Sequence, residues 1–186
     1  MRRTKPYNIK RLDQIISLAT PARQEIIDAL EVTGPTSVAE IAAHLGRAAD
    51  SLYHHIRILQ RVGLIVTTEK RLAGVSNKAI YDVPGRPMQI TYDLDDQKIV
   101  GGIAEVTAAM LRITEKDFRR AVTSSDVTGN GPYRNIRSSR MKGWLDAAQI
   151  KELNGHIEAI KKIFASPKNG RRARVHTLTL VLNPSE

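Results

Sequence analysis

Residues 37 to 65, SVAEIAAHLGRAADSLYHHIRILQRVGLI, constrain the fold more than any other stretch of this chain. Two short amphipathic segments are separated by one glycine, Gly46, and the second ends in Val62-Gly63-Leu64-Ile65, which leads into β-like sequence. Ser37 and Glu40 have the S-x-x-E spacing of a capping box. In that device the serine hydroxyl satisfies a backbone N–H of the first turn, and the glutamate reaches back to the serine's own N–H. A helix is therefore expected from Val38, with Val38, Ile41, Ala42 and Leu45 on its apolar face and Gly46 supplying the positive φ that closes it. A second helix is expected from about Ala49 to Val62, with Leu52, Ile56 and Leu59 inward and Gly63 as its stop. Ala48 offers that helix no side-chain cap, although Asp50 favours its dipole. Helix, tight turn, helix and strand, in that order, is the layout that presents one helix to a DNA major groove.

The flanking sequence extends this pattern on both sides. Ile9, Leu12, Ile15, Ile16 and Leu18 fall at helical spacing, and Thr20-Pro21 restarts the chain into a helix packing through Ile26, Ile27 and Leu30 until Gly34-Pro35 ends it. Leu64 to Thr68 and Ala79 to Val83 read as two strands of a hairpin wing, with Lys70, Arg71, Ser76, Asn77 and Lys78 at or near its tip. Pro84-Gly85-Arg86-Pro87 marks a boundary, dividing a domain of residues 1–85 from a region of residues 86–186. Met88 to Tyr92 suggests a further strand. A long helix is expected from about Asp96 to Val122, with Ile99, Ile103, Val106, Met110 and Ile113 forming a seam of coiled-coil type. Residues 123 to 143 read as a loop. Asp146 with Gln149 caps a last helix striped by Ile150, Leu153, Ile157, Ile160 and Phe164, and Val175 to Leu182 reads as a closing strand with Leu178, Leu180 and Leu182 on one face. Trp144 is expected to pack against the last helix, with a place in an effector pocket as the alternative. The expected fold class is α+β and mainly helical: a winged helix-turn-helix domain, then a helical C-terminal region with a small strand component.

Charge narrows the class of partner. With 29 Lys and Arg against 19 Asp and Glu the chain carries a formal +10, which suits a polyanion without choosing between DNA, RNA and an anionic membrane. Divided after Asp93, the two parts carry +4 (13 basic, 9 acidic) and +6 (16 basic, 10 acidic), so basicity is not confined to the helix-turn-helix. The absence of cysteine excludes disulfides, thiolate metal sites and thiol redox sensing. No apolar run approaches the ~20 residues that span a bilayer, and MRRTKPYNIKRL has no apolar segment behind its basic residues to make a secretory signal. A cytoplasmic protein is expected. Catalysis finds no footing: Ser124-Ser125-Asp126 stands in no nucleophile elbow, and Gly101-Gly102 lies in a helical pattern without phosphate-cradling spacing. No cofactor is expected.

From Leu18 to Val83 the chain resembles the winged helix-turn-helix of ArsR-type transcriptional repressors. LATPARQEIIDAL is similar to that family's opening helix, SVAEIAAHLG to its positioning helix, and SLYHHIRILQRVGLI to its recognition helix, where two adjacent histidines precede an apolar-basic-apolar-Leu run. Ala79-Ile80-Tyr81-Asp82-Val83 resembles the returning strand of its wing. The C-terminal half, with Gly-Trp-Leu at 143 to 145 and a terminal TLTLVL, resembles extended members of the family. The chain departs from the metal-sensing members. Ser37 and Ala39 stand where they place thiolates, and residues 96 to 122 contain no histidine, so no metal site is implied and any small-molecule effector is of another kind.

The resemblance implies duplex DNA as the partner and assigns the groove-facing positions to Asp50, Ser51, Tyr53, His54 and Arg57. The wing residues Lys70, Arg71, Ser76, Asn77 and Lys78 are expected on backbone phosphate or a minor groove. Arg57 can reach a phosphate or a guanine edge, and Ser51 and Tyr53 have hydroxyls for phosphate or base. The plain alternative is a solvated helix face, and from another class a winged helix used for protein interaction or RNA binding. His55 is expected as a packed, hydrogen-bonded core histidine, with His44 and His156 structural. Two readings stay open for Arg134, Arg137, Arg140 and Lys142 and for Arg171, Arg172 and Arg174: solubility, or contacts to phosphate or an acidic ligand. Two half-sites one helical turn apart imply a homodimer. The seam Ile99, Ile103, Val106, Met110 and Ile113 is assigned to that interface, to packing on Ile150–Phe164 within the chain, or to both.

Overall fold

The computed structural model of the chain describes residues 5–73, 76–165 and 174–185, with the side chains of 69–78 outside the description. Among these residues the elements run β1 (Tyr7–Ile9), α1 (Leu12–Ser17), α2 (Pro21–Thr33), α3 (Val38–Leu45), α4 (Asp50–Arg61), β2 (Val66–Ala73), β3 (Ser76–Asp82), β4 (Met88–Ile90), α5 (Gln97–Val122) and α6 (Ala147–Ala165). They fall in two compact units, one running to Phe118 and taking in the tail from Thr179, the other Arg119–Leu178. This division lies inside α5 and not at residue 85, because the buried face of α5 belongs to the core of the first unit.

In the first unit α2, α3 and α4 meet around Ile26, Leu30, Ile41, Leu52, Ile56 and Leu59, none more than 1% exposed. Each such side chain contributes about 1.5–3 kcal/mol by leaving water. The capping box of α3 forms as its spacing predicts. The Glu40 N–H donates to Ser37 Oγ (3.4 Å), while Glu40 Oε2 accepts from the Ser37 N–H (2.9 Å) and the Thr36 hydroxyl (2.8 Å). Gly46 closes the helix at φ 62° and Gly63 follows α4 at φ 76°, backbone conformations that a Cβ would strain. α2 begins differently: Thr20 makes no side-chain cap, and Pro21 alone presets its first turn.

The wing is an antiparallel pair running from Val66 opposite Asp82 out to Ala73 opposite Ser76, longer toward its tip than the β-like sequence suggests and starting two residues later at its root. It is tied back to the helices by a bridge between Thr36 and Tyr81, whose N–H groups donate to each other's carbonyls at 3.0 and 2.8 Å. Arg86 fastens the exit from β3. It pairs with Asp82 and donates to the Leu30 (2.8 Å) and Glu31 (3.3 Å) carbonyls, which lie near the open end of α2.

Several sequence expectations are corrected. Ile9 belongs to strand β1, which pairs in parallel with β4 (Tyr7 opposite Met88, Ile9 opposite Ile90), and the first helix starts only at Leu12. Four of the five seam residues of α5, Ile99, Ile103, Val106 and Ile113, are 8 or 9% exposed within the single chain, and Met110 is half-buried. The seam packs on the first unit's helices: a Cβ added at Gly102 would lie 2.9 Å from Ile15 Cγ2, and Gln24 donates from α2 to the Val106 carbonyl (2.9 Å). α6, in the other unit, buries no residue of its own. An apolar stripe announces that something covers it, but not which surface does.

In the second unit α6 has its expected cap, with Asp146 and Gln149 exchanging hydrogen bonds at 3.0 and 2.9 Å. Leu153, Ile157 and Ile160 are half-buried, whereas Trp144 is fully exposed (102%) and does not pack against that helix. No strand forms between residues 174 and 185, contrary to the alternation of Val175 to Leu182. Alternation suits a strand but supplies no neighbour to hydrogen-bond with. No described helix is long and apolar enough to cross a membrane.

Candidate nucleic-acid interface

α4 presents two faces. Leu52, Ile56 and Leu59 are buried, while Asp50, Ser51, Tyr53, His54, Arg57 and Arg61 are exposed. Asp50, Tyr53, His54, Arg57 and Arg61 follow one another at helical spacing and form one stripe opposite the buried face. Arg61, one turn beyond Arg57, is a member of the stripe that the family resemblance does not mark. Its place on the i+4 row is the signal. The stripe is polar, and its one large partly apolar member, Tyr53, is 43% exposed. Ser51 is partly committed, since its hydroxyl donates to the Ala48 carbonyl (2.7 Å), and the first turn of α4 keeps no side-chain cap.

Three sets of contacts fix the orientation of α4. At its C-terminal end the Val62 carbonyl accepts from Gln14 (2.9 Å) and Arg11 (3.3 Å) of the α1 region. Gln60 donates to the Thr67 hydroxyl (3.0 Å), joining the helix to the root of the wing. Ahead of α4, Arg47 in the turn pairs with Glu25 of α2, and Lys116 of α5 reaches the same carboxylate at 2.8 Å. Glu25 is buried and holds two cations, one from the turn and one from α5. The turn is therefore braced by charge as well as by Gly46.

His55 differs from its expected state. It is half-buried beside His54 (ring centroids 5.7 Å apart, edge-on), and its Nδ1 is buried with no hydrogen-bond partner. Burial, then the positive charges of Arg23, His54 and Arg47, lower its pKa below 6.5. His44 and His156 are both exposed, and His156 stands 3.7 Å from Glu152.

In the wing, backbone pairing sets Lys70 opposite Ala79, Arg71 opposite Lys78, Leu72 opposite Asn77 and Ala73 opposite Ser76. The basic residues thus lie on the paired strands rather than in the turn itself. The side chains of Lys70, Arg71, Ser76, Asn77 and Lys78 lie outside the described residues, so the contacts expected of them do too.

Residues 18–68, α2 through the start of β2, match a family described as a helix-turn-helix domain. The N-terminal unit is a winged helix-turn-helix. Comparison with curated proteins gives no match. Among solved structures, a MarR family transcription regulator is similar at 12% identity and a TM-score of 0.30, over 77% of this chain and 70% of that one. The multiple antibiotic-resistance repressor of Listeria monocytogenes gives 14% and 0.28, over 78% and 74%. Lactococcus lactis ZitR gives 13% and 0.28, over 76% and 81%. Likenesses of that size locate no residue and identify no ligand.

Proposed function

We propose that this chain is a sequence-specific duplex-DNA-binding transcriptional regulator of ArsR type, working as a homodimeric repressor that occludes a promoter, through binding and not catalysis. The observation that carries the reading is the exposed polar stripe Asp50, Tyr53, His54 and Arg57, backed by a fully buried apolar face and joined to a wing. Such a face suits base edges and phosphates, whereas a protein-docking helix would present a continuous apolar patch. Selection from a random duplex pool at stated salt tests it. Enrichment of an inverted repeat with half-sites about 34–36 Å apart is expected. A pool that enriches no duplex motif, or RNA hairpins retained in its place, contradicts it.

The homodimer must use a surface that the chain itself leaves open. The flank of α5 carrying Ala104, Leu111 and Phe118 is exposed. Beside it runs an apolar groove of about 360 Å³ between α1 and α5, lined by Leu12, Ile16, Ala19, Gly101 and Gly102 among others. We assign the two-fold contact to this flank and groove, in place of the seam that α5 spends on its own core. A partner helix there would bury Leu111 and Phe118, each otherwise a liability in water.

A further inference from the structure

The chain's net charge is concentrated in one unit. Between residues 119 and 178 there are 13 Lys and Arg against 4 Asp and Glu, a net +9 of the chain's +10, and the remaining 16 basic and 15 acidic residues nearly cancel. A division at residue 93 hides this, because it groups Asp95, Asp96, Glu105, Glu115 and Asp117 with the basic unit.

The few acidic groups of this unit are already engaged. Asp126 pairs with Arg174 at 2.7 Å, Glu158 with Lys161 at 2.6 Å, Glu152 faces His156, and Asp146 accepts the Gln149 N–H. Arg134, Arg137 and Arg140 are exposed, and no described residue forms an ion pair with them. They recur every third residue on a segment that is neither helix nor strand, flanked by the almost fully exposed Tyr133, Met141 and Trp144. Three residues of extended chain span up to about 10 Å. A duplex offers a negative charge every ~1.7 Å along its axis, so each guanidinium can take a phosphate of its own. Guanidinium is also the side chain that meets phosphate with two parallel hydrogen bonds. An anionic membrane is the poorer fit. Membrane-surface helices concentrate cations on the polar face of an amphipathic helix, whereas α6 mixes Lys151, Lys161 and Lys162 with Glu152 and Glu158.

We propose that the segment bearing Arg134, Arg137 and Arg140 is a second DNA contact, gripping duplex phosphates that flank the site α4 reads without selecting sequence. This rests on the DNA reading of α4. The test uses the full chain with Arg134→Gln, Arg137→Gln and Arg140→Gln together, and a second variant with Lys at the same three positions. Each is titrated at several salt concentrations against a duplex recovered by selection and against its scrambled version. The Gln variant should weaken both duplexes alike and flatten the log K–log salt slope by about 0.9 for each phosphate it no longer neutralises, so by up to ~2.7. Its preference for the selected duplex should be unchanged and its protected footprint shorter, while the Lys variant should keep the parent slope. A Gln variant with parental slope and footprint on duplex overturns the proposal. So does one that loses binding to phosphatidylserine vesicles or an RNA hairpin while duplex binding is unaltered. Arg57→Ala separates the two readings. If it abolishes the preference for the selected duplex, the α4 reading stands and the salt slope judges this one alone. A parent chain with no preference overturns both.

Discussion

Asp28 is exposed on α2, yet it lines a groove with Ile27, Glu31 and Val106 and has the carboxylates of Glu31, Asp117 and Glu25 near it. Burial by the surrounding chain, then repulsion from Glu31, Asp117 and Glu25, push its pKa from 3.8 up to about 7. Between those values the folded chain holds a proton that the unfolded chain has released, so stability falls as pH rises through roughly 4 to 7. Asp28→Asn should therefore match the parent below pH 4 and exceed it above pH 7 in denaturant unfolding. Equal stability at pH 8 would show that the carboxyl ionises freely. His55 acts in the opposite sense. Its folded pKa lies below 6.5, so below that pH the unfolded chain takes up a proton that the folded chain resists, and stability is lost as pH falls. His55→Gln should flatten that acid-side decline down to the lowered native pKa and change nothing above pH 7. A variant with the parental slope would place the titration on another group. Sequence placed His55 near the buried side but not its unpaired Nδ1, because a bond that fails to form leaves no mark on residue spacing.

At the scale of elements, what was legible is what is written locally. The Ser37–Glu40 box, Gly46, and the inward Leu52, Ile56 and Leu59 all act within a few residues, and α3 and α4 fall where that spacing sets them. Ser37→Ala should cost about 1 kcal/mol, read as a lowered midpoint of thermal unfolding, with Ser37→Asp recovering most of it. No change on Ser37→Ala would mean that Glu40 and the surrounding core hold the first turn without the hydroxyl. Pairing across long separations was not legible. β1 meets β4 some eighty residues later, and three residues of strand carry too little pattern to outweigh an apparent helical run through Ile9. α5 was found as a helix with an apolar stripe, yet its cover proved to be α1 and α2. For α4 the exposed positions Asp50, Tyr53, His54 and Arg57 came from the family resemblance, which leaves out Arg61 although helical period places it on the same face. The bracing of the turn by Glu25, Arg47 and Lys116 was not legible, since it joins three segments far apart in sequence.

For the whole molecule, reading two half-sites requires two copies. Leu111→Glu with Phe118→Glu alters only exposed positions, so the variant should fold with the parental spectrum and sediment as a monomer where the parent sediments as a dimer. A parent that is monomeric at micromolar concentration, or a variant that still dimerises, would remove the assigned flank. The central claim, that α4 reads duplex sequence, is tested most directly by Tyr53→Ala with Arg57→Ala, titrated against the selected duplex at one stated salt concentration. Both side chains are exposed, so the core should be untouched and the unfolding midpoint close to that of the parent. Deleting a side chain that touches a base costs about 1–3 kcal/mol, and the pair should weaken binding to the selected duplex at least tenfold while binding to scrambled duplex changes far less. A folded double variant that binds the selected duplex as tightly as the parent would contradict the account.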